Sequence, residues 1–218
     1  MSVLGRGHTS SLQPEGSRSV QAAILRMFQE SASVKLRFAE EYASRIEAVA
    51  HRMAEALQQG GKVLFCGNGG SAADAQHLAA EMVNRFLRDR DALAGIALTT
   101  DASVLTSIGN DTGFEQIFAR QVEALSRPGD VVVGISTSGE SPNVLRAMET
   151  ARRLGCFTVA LTGGTGGSLA RTADEAFVIP SEETPRIQEA HITLGHALCA
   201  LVEDLMFPPG EGSRSPAG

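Results

Sequence analysis

The sequence lacks the residues on which several classes of protein depend. It has no tryptophan and one tyrosine in 218 residues, so base stacking on aromatic side chains, as in single-stranded nucleic-acid binding, is not expected. Its 19 Lys and Arg against 25 Asp and Glu give a net charge of −6, which leaves no basic surplus for a nucleic-acid backbone. No apolar run approaches the roughly 20 residues that span a bilayer. We therefore expect neither direct nucleic-acid binding nor membrane insertion.

Cysteine is also scarce. Cys66, Cys156 and Cys199 lie far apart and form no C-x-x-C motif, which excludes a disulfide scaffold and a cysteine-rich zinc site. Residues 1–19 lack the apolar segment of a secretory signal. The sequence therefore predicts a cytoplasmic protein with three buried, reduced thiols.

Apolar patterning predicts one domain, residues 20–207, between two tails. Residues 1–19 and 208–218 show little apolar periodicity and are expected to be flexible. Apolar spacings of three and four predict N-terminal helices with two stripes, the first of them Val20, Ile24, Met27 and Phe28 and the second running from Phe38 to Leu57. Five apolar runs then alternate with helical segments, at 62–66, 95–98, 130–135, 157–161 and 176–179. This alternation predicts an α/β fold with a doubly wound, five-stranded parallel sheet.

Ligands of doubly wound sheets bind beyond the carboxyl ends of the strands, where this sequence places two distinctive loops. The loop 136–141 carries four hydroxyls and opens a helix at Pro142. Hydroxyls and free N–H groups at a helix N-terminus can bind phosphate without Lys or Arg. Ser and Thr are equally common as plain capping and turn residues, so composition alone leaves both interpretations open.

The other loop matches the dinucleotide fingerprint G-x-G-x-x-A at Gly67, Gly69 and Ala72, with Ser71 as a candidate helix cap. The acidic residue expected about 20 positions further on is poorly matched, since the candidate is Asp101. A nicotinamide-dependent enzyme therefore remains an alternative.

Polar residues on two predicted helices form the third feature. His77 and Glu81 are four residues apart and share one helix face, so they form either a metal-chelating pair or a solvated pair. On the last helix, about 184–206, His191 lies near the apolar stripe and is expected to be a core histidine. His196 follows Gly195, which leaves room for a close neighbour or a ligand.

Together these features resemble the sugar isomerase (SIS) domain family, and within it the sedoheptulose-7-phosphate isomerases. The resemblance covers about residues 20–207. Five strings in the same order carry it, at 67–77, 81–85, 108–111, 134–141 and 186–191.

The resemblance implies a flavodoxin-like SIS fold, a homotetramer with sites between subunits, and interconversion of sedoheptulose 7-phosphate and D-glycero-D-manno-heptose 7-phosphate for surface polysaccharide. It implies Glu81 as the catalytic base, His196 as the acid, and one zinc per subunit. The implied phosphate contacts are Ser136, Thr137, Ser138 and Ser141. The implied sugar contacts are Asn68, Gly69, Gly70, Ser71, Asn110, Asp111 and Gln188, with Glu81 also touching the substrate. The implied zinc ligands are His77, Glu81, Gln188 and His196.

One position departs from the family pattern, and one relative has a different function. Some members carry Asp immediately before the Arg-Ile-Gln string, where this sequence has Pro185. Glu182 or Glu183 could supply that carboxylate. The sequence is also similar to a non-enzymatic SIS homotetramer that binds the DnaA replication initiator. That relative lacks the acid and base, whereas this chain keeps Glu81, His196 and Ser138, so the isomerase is the favoured interpretation.

Overall fold

The computed structural model describes the backbone of residues 15–208 and the side chains of residues 19–208. The elements follow in the order α1 (Glu15–Gln58), β1 (Val63–Gly67), α2 (Gly70–Val83), β2 (Gly95–Ala97), α3 (Ala102–Thr112), a 3-10 turn (Phe114–Gln116), α4 (Ala119–Leu125), β3 (Val131–Ile135), α5 (Pro142–Arg153), β4 (Phe157–Gly163), α6 (Gly167–Thr172), β5 (Glu175–Ile179) and α7 (Thr184–Met206). All five predicted strands are present.

The five strands pair in parallel in the order β2-β1-β3-β4-β5. This is the doubly wound, flavodoxin-like order, as predicted. Strands β1 and β3 pair over their full length, from Val63 opposite Val131 to Gly67 opposite Ile135. Because both strands end at the same level, the loops that follow them lie side by side.

The sheet separates two cores because successive side chains of a strand point to opposite faces. Phe65 and Val133 pack with α1, α2 and α7 on one face, whereas Leu64 and Val132 pack with α4 and α5 on the other. Every residue of β1 and β3 is buried, as expected for the central strands of a parallel sheet. Cys66, Cys156 and Cys199 are also buried and unpaired, as predicted.

The N-terminal region is one continuous helix rather than the several helices predicted. No Gly or Pro interrupts residues 17–59, so nothing breaks the helix between its two apolar stripes. The helix begins at Glu15, inside the segment 1–19 that the sequence pattern assigns to a tail. Residues 1–14 and 209–218 lie outside the described residues.

The two stripes of α1 differ in their environment. The second, which includes Phe38, Tyr42 and Val49, is buried against the sheet and α7. The first is exposed, with Val20 at 61% and Phe28 at 74%. Nothing within residues 19–208 covers this apolar surface on the N-terminal half of α1. None of the helices within residues 15–208 is both long and apolar enough to cross a membrane.

His191 is the core histidine that the sequence predicts. It is 1% exposed, and its Nε2 lies 3.1 Å from the carbonyl oxygen of Thr162. Burial lowers its pKa to about 4, although the Thr162 hydrogen bond opposes this shift. The imidazole is therefore neutral in the folded protein at pH 7.

This lowered pKa makes folding stability dependent on pH. Between about pH 6.5 and 4 the unfolded chain binds a proton that folded His191 does not, so stability falls as the pH falls through that window. The effect amounts to about 3 kcal/mol. We expect His191→Gln, which keeps a donor for Thr162 but cannot titrate, to remove this part of the acid sensitivity. Urea unfolding at pH 7 and pH 4.5 measures it, and an equal loss in both proteins contradicts the prediction.

Candidate active site

The loops after β1 and β3 are joined by a pair of side-chain amides. Asn68 donates to the Oδ1 of Asn143 and Asn143 donates to the Oδ1 of Asn68, each over 2.8 Å. Asn143 lies in the first turn of α5 and is 2% exposed. The pair holds the N-termini of α2 and α5 next to each other. Two helix N-termini at one place favour an anion.

The loop 136–141 brings three of its four hydroxyls close together. The Oγ of Ser136 lies 2.9 Å from that of Ser141 and 3.5 Å from that of Ser138. Ser141 precedes α5 without capping its N–H groups through its side chain. Ser138 and Pro142 are exposed and Thr137 is half-buried. The loop therefore presents hydroxyls and a helix end rather than cations.

Gly139 shapes this loop. Its φ is +67°, a conformation that residues with a side chain rarely adopt. An added Cβ would collide with the carbonyl oxygen of Gly166. The Glu140 carboxylate accepts bonds from the N–H and hydroxyl of Ser168, at 2.6 and 3.1 Å. The hydroxyl loop is thus fixed against the start of α6.

The polar residues of α2 and α7 form one cluster. His77 Nε2 lies 2.9 Å from Glu81 Oε1 and 3.4 Å from His196 Nε2. The ligand atoms of these three residues all lie within 4.8 Å of one another. His77 is exposed and the other two are partly buried, so the cluster is open to a ligand.

Two glycines allow α7 to pack closely against α2. A Cβ on Gly195 would lie 2.5 Å from a methyl of Leu78, so α7 can approach α2 closely only because this side chain is absent. That approach places His196 beside His77, and the close neighbour expected at Gly195 is Leu78. Likewise, a Cβ on Gly70 would lie 2.5 Å from Gln188 Nε2. Gln188 therefore packs against the first turn of α2.

The chemistry of the cluster fits a zinc ion. Two ligands about 2.1 Å from one tetrahedral metal are roughly 3.4 Å apart, which is the separation of the nitrogens of His77 and His196. Imidazole and carboxylate ligands are typical of zinc sites. Among the described residues Gln188 makes no hydrogen bond to the other three predicted ligands, and its amide lies toward the N-terminal end of α2.

The remaining predicted sugar contacts lie at the start of α2 and on α3. Gly69 and Gly70 are exposed at the start of α2, whereas Ser71 is buried in its first turn. Since α2 starts at Gly70 with Gly69 as its N-cap, the prediction that Ser71 caps the helix is wrong. Asn110 and Asp111 bond each other, 2.8 Å apart, on a helix that packs chiefly on the Phe114–Gln116 turn. In the described chain no hydrogen bond joins them to the rest of the site.

Asp101 and Pro185 bear on the nicotinamide-dependent alternative and on the departure from the family pattern, respectively. Asp101, the candidate nucleotide carboxylate, caps α3 by accepting a bond from Val104 N–H over 3.0 Å. Pro185 lies in the first turn of α7, a favoured position for proline because that N–H needs no helical partner. Glu182 and Glu183 before it are exposed.

Three residues near the site were missed from sequence. Asn143 pairs with Asn68, as described above. The Phe86 ring stacks on that of His196, with centroids 5.3 Å apart. Burial raises the pKa of Asp74, while the charges of His77 and His196 oppose the rise. Asp74 could have been found from its spacing, because it is three residues before His77 and so shares its helix face.

Comparison with known proteins gives a consistent result. The sequence profile described as "SIS domain" matches residues 27–163. A phosphoheptose isomerase from Aquifex aeolicus is 58% identical over 183 residues, covering 84% of this chain and 96% of that one. The solved phosphoheptose isomerase of Neisseria gonorrhoeae is 45% identical with a TM-score of 0.80, covering 85% of this chain and 99% of that one. That of Francisella tularensis is 39% identical with a TM-score of 0.81, covering 85% and 98%. By both sequence and fold, this chain belongs to the phosphoheptose isomerases of the SIS domain family.

Proposed function

We propose that this protein interconverts D-sedoheptulose 7-phosphate and D-glycero-D-manno-heptose 7-phosphate, the first step toward the heptose of surface polysaccharide. The observation that carries the proposal is the cluster of His77, Glu81 and His196 in a fold that also presents a hydroxyl loop for phosphate. The names of the relatives point the same way, and nothing in them favours the alternative of a DnaA-binding protein.

The proposed chemistry is proton transfer through an enediol. A ketose–aldose isomerase removes a proton from the carbon next to the carbonyl and returns it to the neighbouring carbon. We assign the base to the Glu81 carboxylate and the acid that protonates the enediol oxygen to His196. Ser136, Thr137, Ser138 and Ser141 hold the phosphate with the N-terminus of α5. The sugar contacts are those assigned by resemblance above.

We also propose one zinc ion per chain, held by His77, Glu81 and His196 with Gln188 as the fourth ligand. When bound, zinc would polarise the sugar carbonyl and hold the reacting end of the substrate in place. A carboxylate that binds zinc firmly is a weaker base, so Glu81 must release or share its ligand oxygen if it takes the proton.

The zinc proposal predicts a defined metal content. Elemental analysis after dialysis should find about one zinc per chain. His196→Ala should lose the metal because it removes one of the clustered ligands. His51→Ala, which changes an exposed histidine on α1, should retain it. A fully active preparation free of metal contradicts this assignment.

We further propose a cytoplasmic homotetramer with sites at subunit interfaces. The exposed apolar stripe of α1, including Ile24 and Phe28, is surface that a second copy can cover. Asn110 and Asp111 have no hydrogen bond to the rest of the described site, which agrees with their serving a neighbouring subunit. Light scattering should give the mass of four chains. Phe28→Glu should lower that mass, and an unchanged tetramer argues against this interface.

Incubation with sedoheptulose 7-phosphate, followed by NMR of the products, tests the function directly. Formation of the aldose phosphate supports the isomerase. Absence of product from the zinc-loaded protein overturns it and revives the binding alternative.

A further inference from the structure

A buried ion pair lies beside the cluster and is outside the residues assigned to catalysis. Glu203, near the end of α7, and Arg90, in the segment after α2, are 3.0 Å apart, with side chains only 1% and 2% exposed. The Glu203 carboxylate also accepts bonds from the N–H groups of Phe86, Leu87 and Arg88, over 2.8–3.0 Å. Burial favours the neutral acid, but these four donors outweigh it and hold the pKa of Glu203 below its usual range.

Arg90 connects this carboxylate to the end of α2. Its guanidinium donates to the carbonyl oxygens of Glu81 and Met82, over 2.7 and 2.8 Å. The last carbonyls of a helix have no partner within the helix, and Arg90 supplies one. The planar, five-donor guanidinium suits this task, whereas a lysine ammonium could not span the carboxylate and both carbonyls. The backbone of Glu81 is therefore held from α7 through Arg90.

The same carboxylate places Phe86. Its bond to the Phe86 N–H fixes the backbone from which the phenyl ring extends, and that ring stacks on His196. The His196 ring also meets the His77 ring edge-on, with centroids 4.9 Å apart. His196 therefore contacts both the Phe86 ring and its partner in the cluster.

We propose that the Arg90–Glu203 pair is a positioning unit that sets Glu81 and His196 relative to each other. This inference rests on the catalytic roles proposed for those two residues. Simple stability does not require such a pair, because well-packed apolar residues often serve as well as a buried ion pair. The pair contributes positioning, because it fixes the end of α2 and the Phe86 ring relative to each other. A displacement of about 1 Å at reacting groups can cost about 100-fold in rate.

The first test compares two buried carboxylates. Glu203→Gln keeps the shape but removes the charge, and we expect kcat to fall about 100-fold with KM changed by less than about threefold. The matched control is Asp130→Asn. Asp130 is also 1% exposed and accepts bonds from Lys62 N, Lys62 Nζ and Arg127 N, but it lies at the amino end of β3, away from the site. Both variants should have a lower melting temperature than the wild-type protein. When both are assayed well below their melting temperatures, only Glu203→Gln should show a lower kcat.

A second variant keeps the inference testable if Glu203→Gln fails to fold. Phe86→Leu retains apolar bulk but removes the ring from His196. We expect an approximately tenfold fall in kcat and, because Phe86 also packs on the core, a melting temperature lowered by only a few degrees. The carbon-bound protons of the His196 imidazole should also lose their ring-current shift in the NMR spectrum, which is tractable with only five histidines.

The NMR readout separates this inference from the proposed function. If the wild-type protein makes no aldose phosphate, the function fails, but displaced His196 resonances in Phe86→Leu and Glu203→Gln still support positioning. If the wild-type protein is active and the folded variants keep both wild-type kcat and wild-type His196 resonances, the pair is only structural and the inference is overturned.

Discussion

Replacing Glu81 by glutamine should abolish isomerisation while leaving phosphosugar binding measurable. Glu81 Oε1 lies 2.9 Å from His77 Nε2. The glutamine amide has nearly the size of the carboxylate and can keep this contact, but it cannot accept the substrate proton. Loss of a positioned base costs about 10²–10⁴-fold, and we expect the upper part of that range because the Glu81 carboxylate is also a proposed metal ligand. The hydroxyl loop lies at the start of α5 and is unaffected.

Turnover of sedoheptulose 7-phosphate followed by NMR, together with calorimetric binding of the same compound, measures both parts of this prediction. Glu123→Gln is a suitable control. Glu123 pairs with Arg120 on α4, on the opposite side of the sheet from α2 and α7, and its loss should leave kcat unchanged. Wild-type turnover in Glu81→Gln would remove Glu81 from the role of base.

The second large effect is expected at the hydroxyl loop. Ser138 is exposed, and its hydroxyl lies 3.2 Å from the N–H of Glu140 and 3.5 Å from the Ser136 hydroxyl. Ser138→Arg fills the loop with a long side chain whose bulk keeps the phosphate from the hydroxyls and the helix end, so KM should rise at least about 100-fold through the loss of several bonds to a charged group. Ser138→Ala leaves the loop open and loses one bond to a charged group, worth about 1.5–3 kcal/mol, so KM should rise by about 10–100-fold.

Initial rates over a wide range of substrate concentration measure these changes. Ala124→Arg, at an exposed position on α4, controls for an added positive charge. If Ser138→Arg shows the same KM as that control, the loop does not hold the phosphate.

The sequence predicts most of the sheet because its signals are local. Each strand is a short apolar run between turn residues, and α7 was predicted within its observed bounds. Helix α6 was missed because Gly163-Gly164-Thr165-Gly166-Gly167 is typical of a loop. The exposed stripe of α1 was expected to form part of the helical entry, but apolar spacing alone does not say which stripe meets the sheet.

The candidate site likewise combines contacts that local spacing predicts with contacts that it does not predict. The spacing of His77 and Glu81 predicts a shared helix face, and the structure shows it. Bringing His196 to them depends on Gly195 packing against Leu78, a contact across 117 residues. The pairing of Arg90 with Glu203 likewise joins distant segments. No periodicity within either segment could indicate these contacts, because they follow from how α2 and α7 pack.

The amide pair of Asn68 and Asn143 fixes the spacing of two helix N-termini through uncharged groups alone. Neither side chain carries a charge, so the bonds between them depend little on ionic strength. Salt therefore weakens the attraction between an anion and these helix ends without changing the distance between the ends. We expect added salt to lower the affinity for a sugar phosphate while leaving the geometry of the loops after β1 and β3 intact.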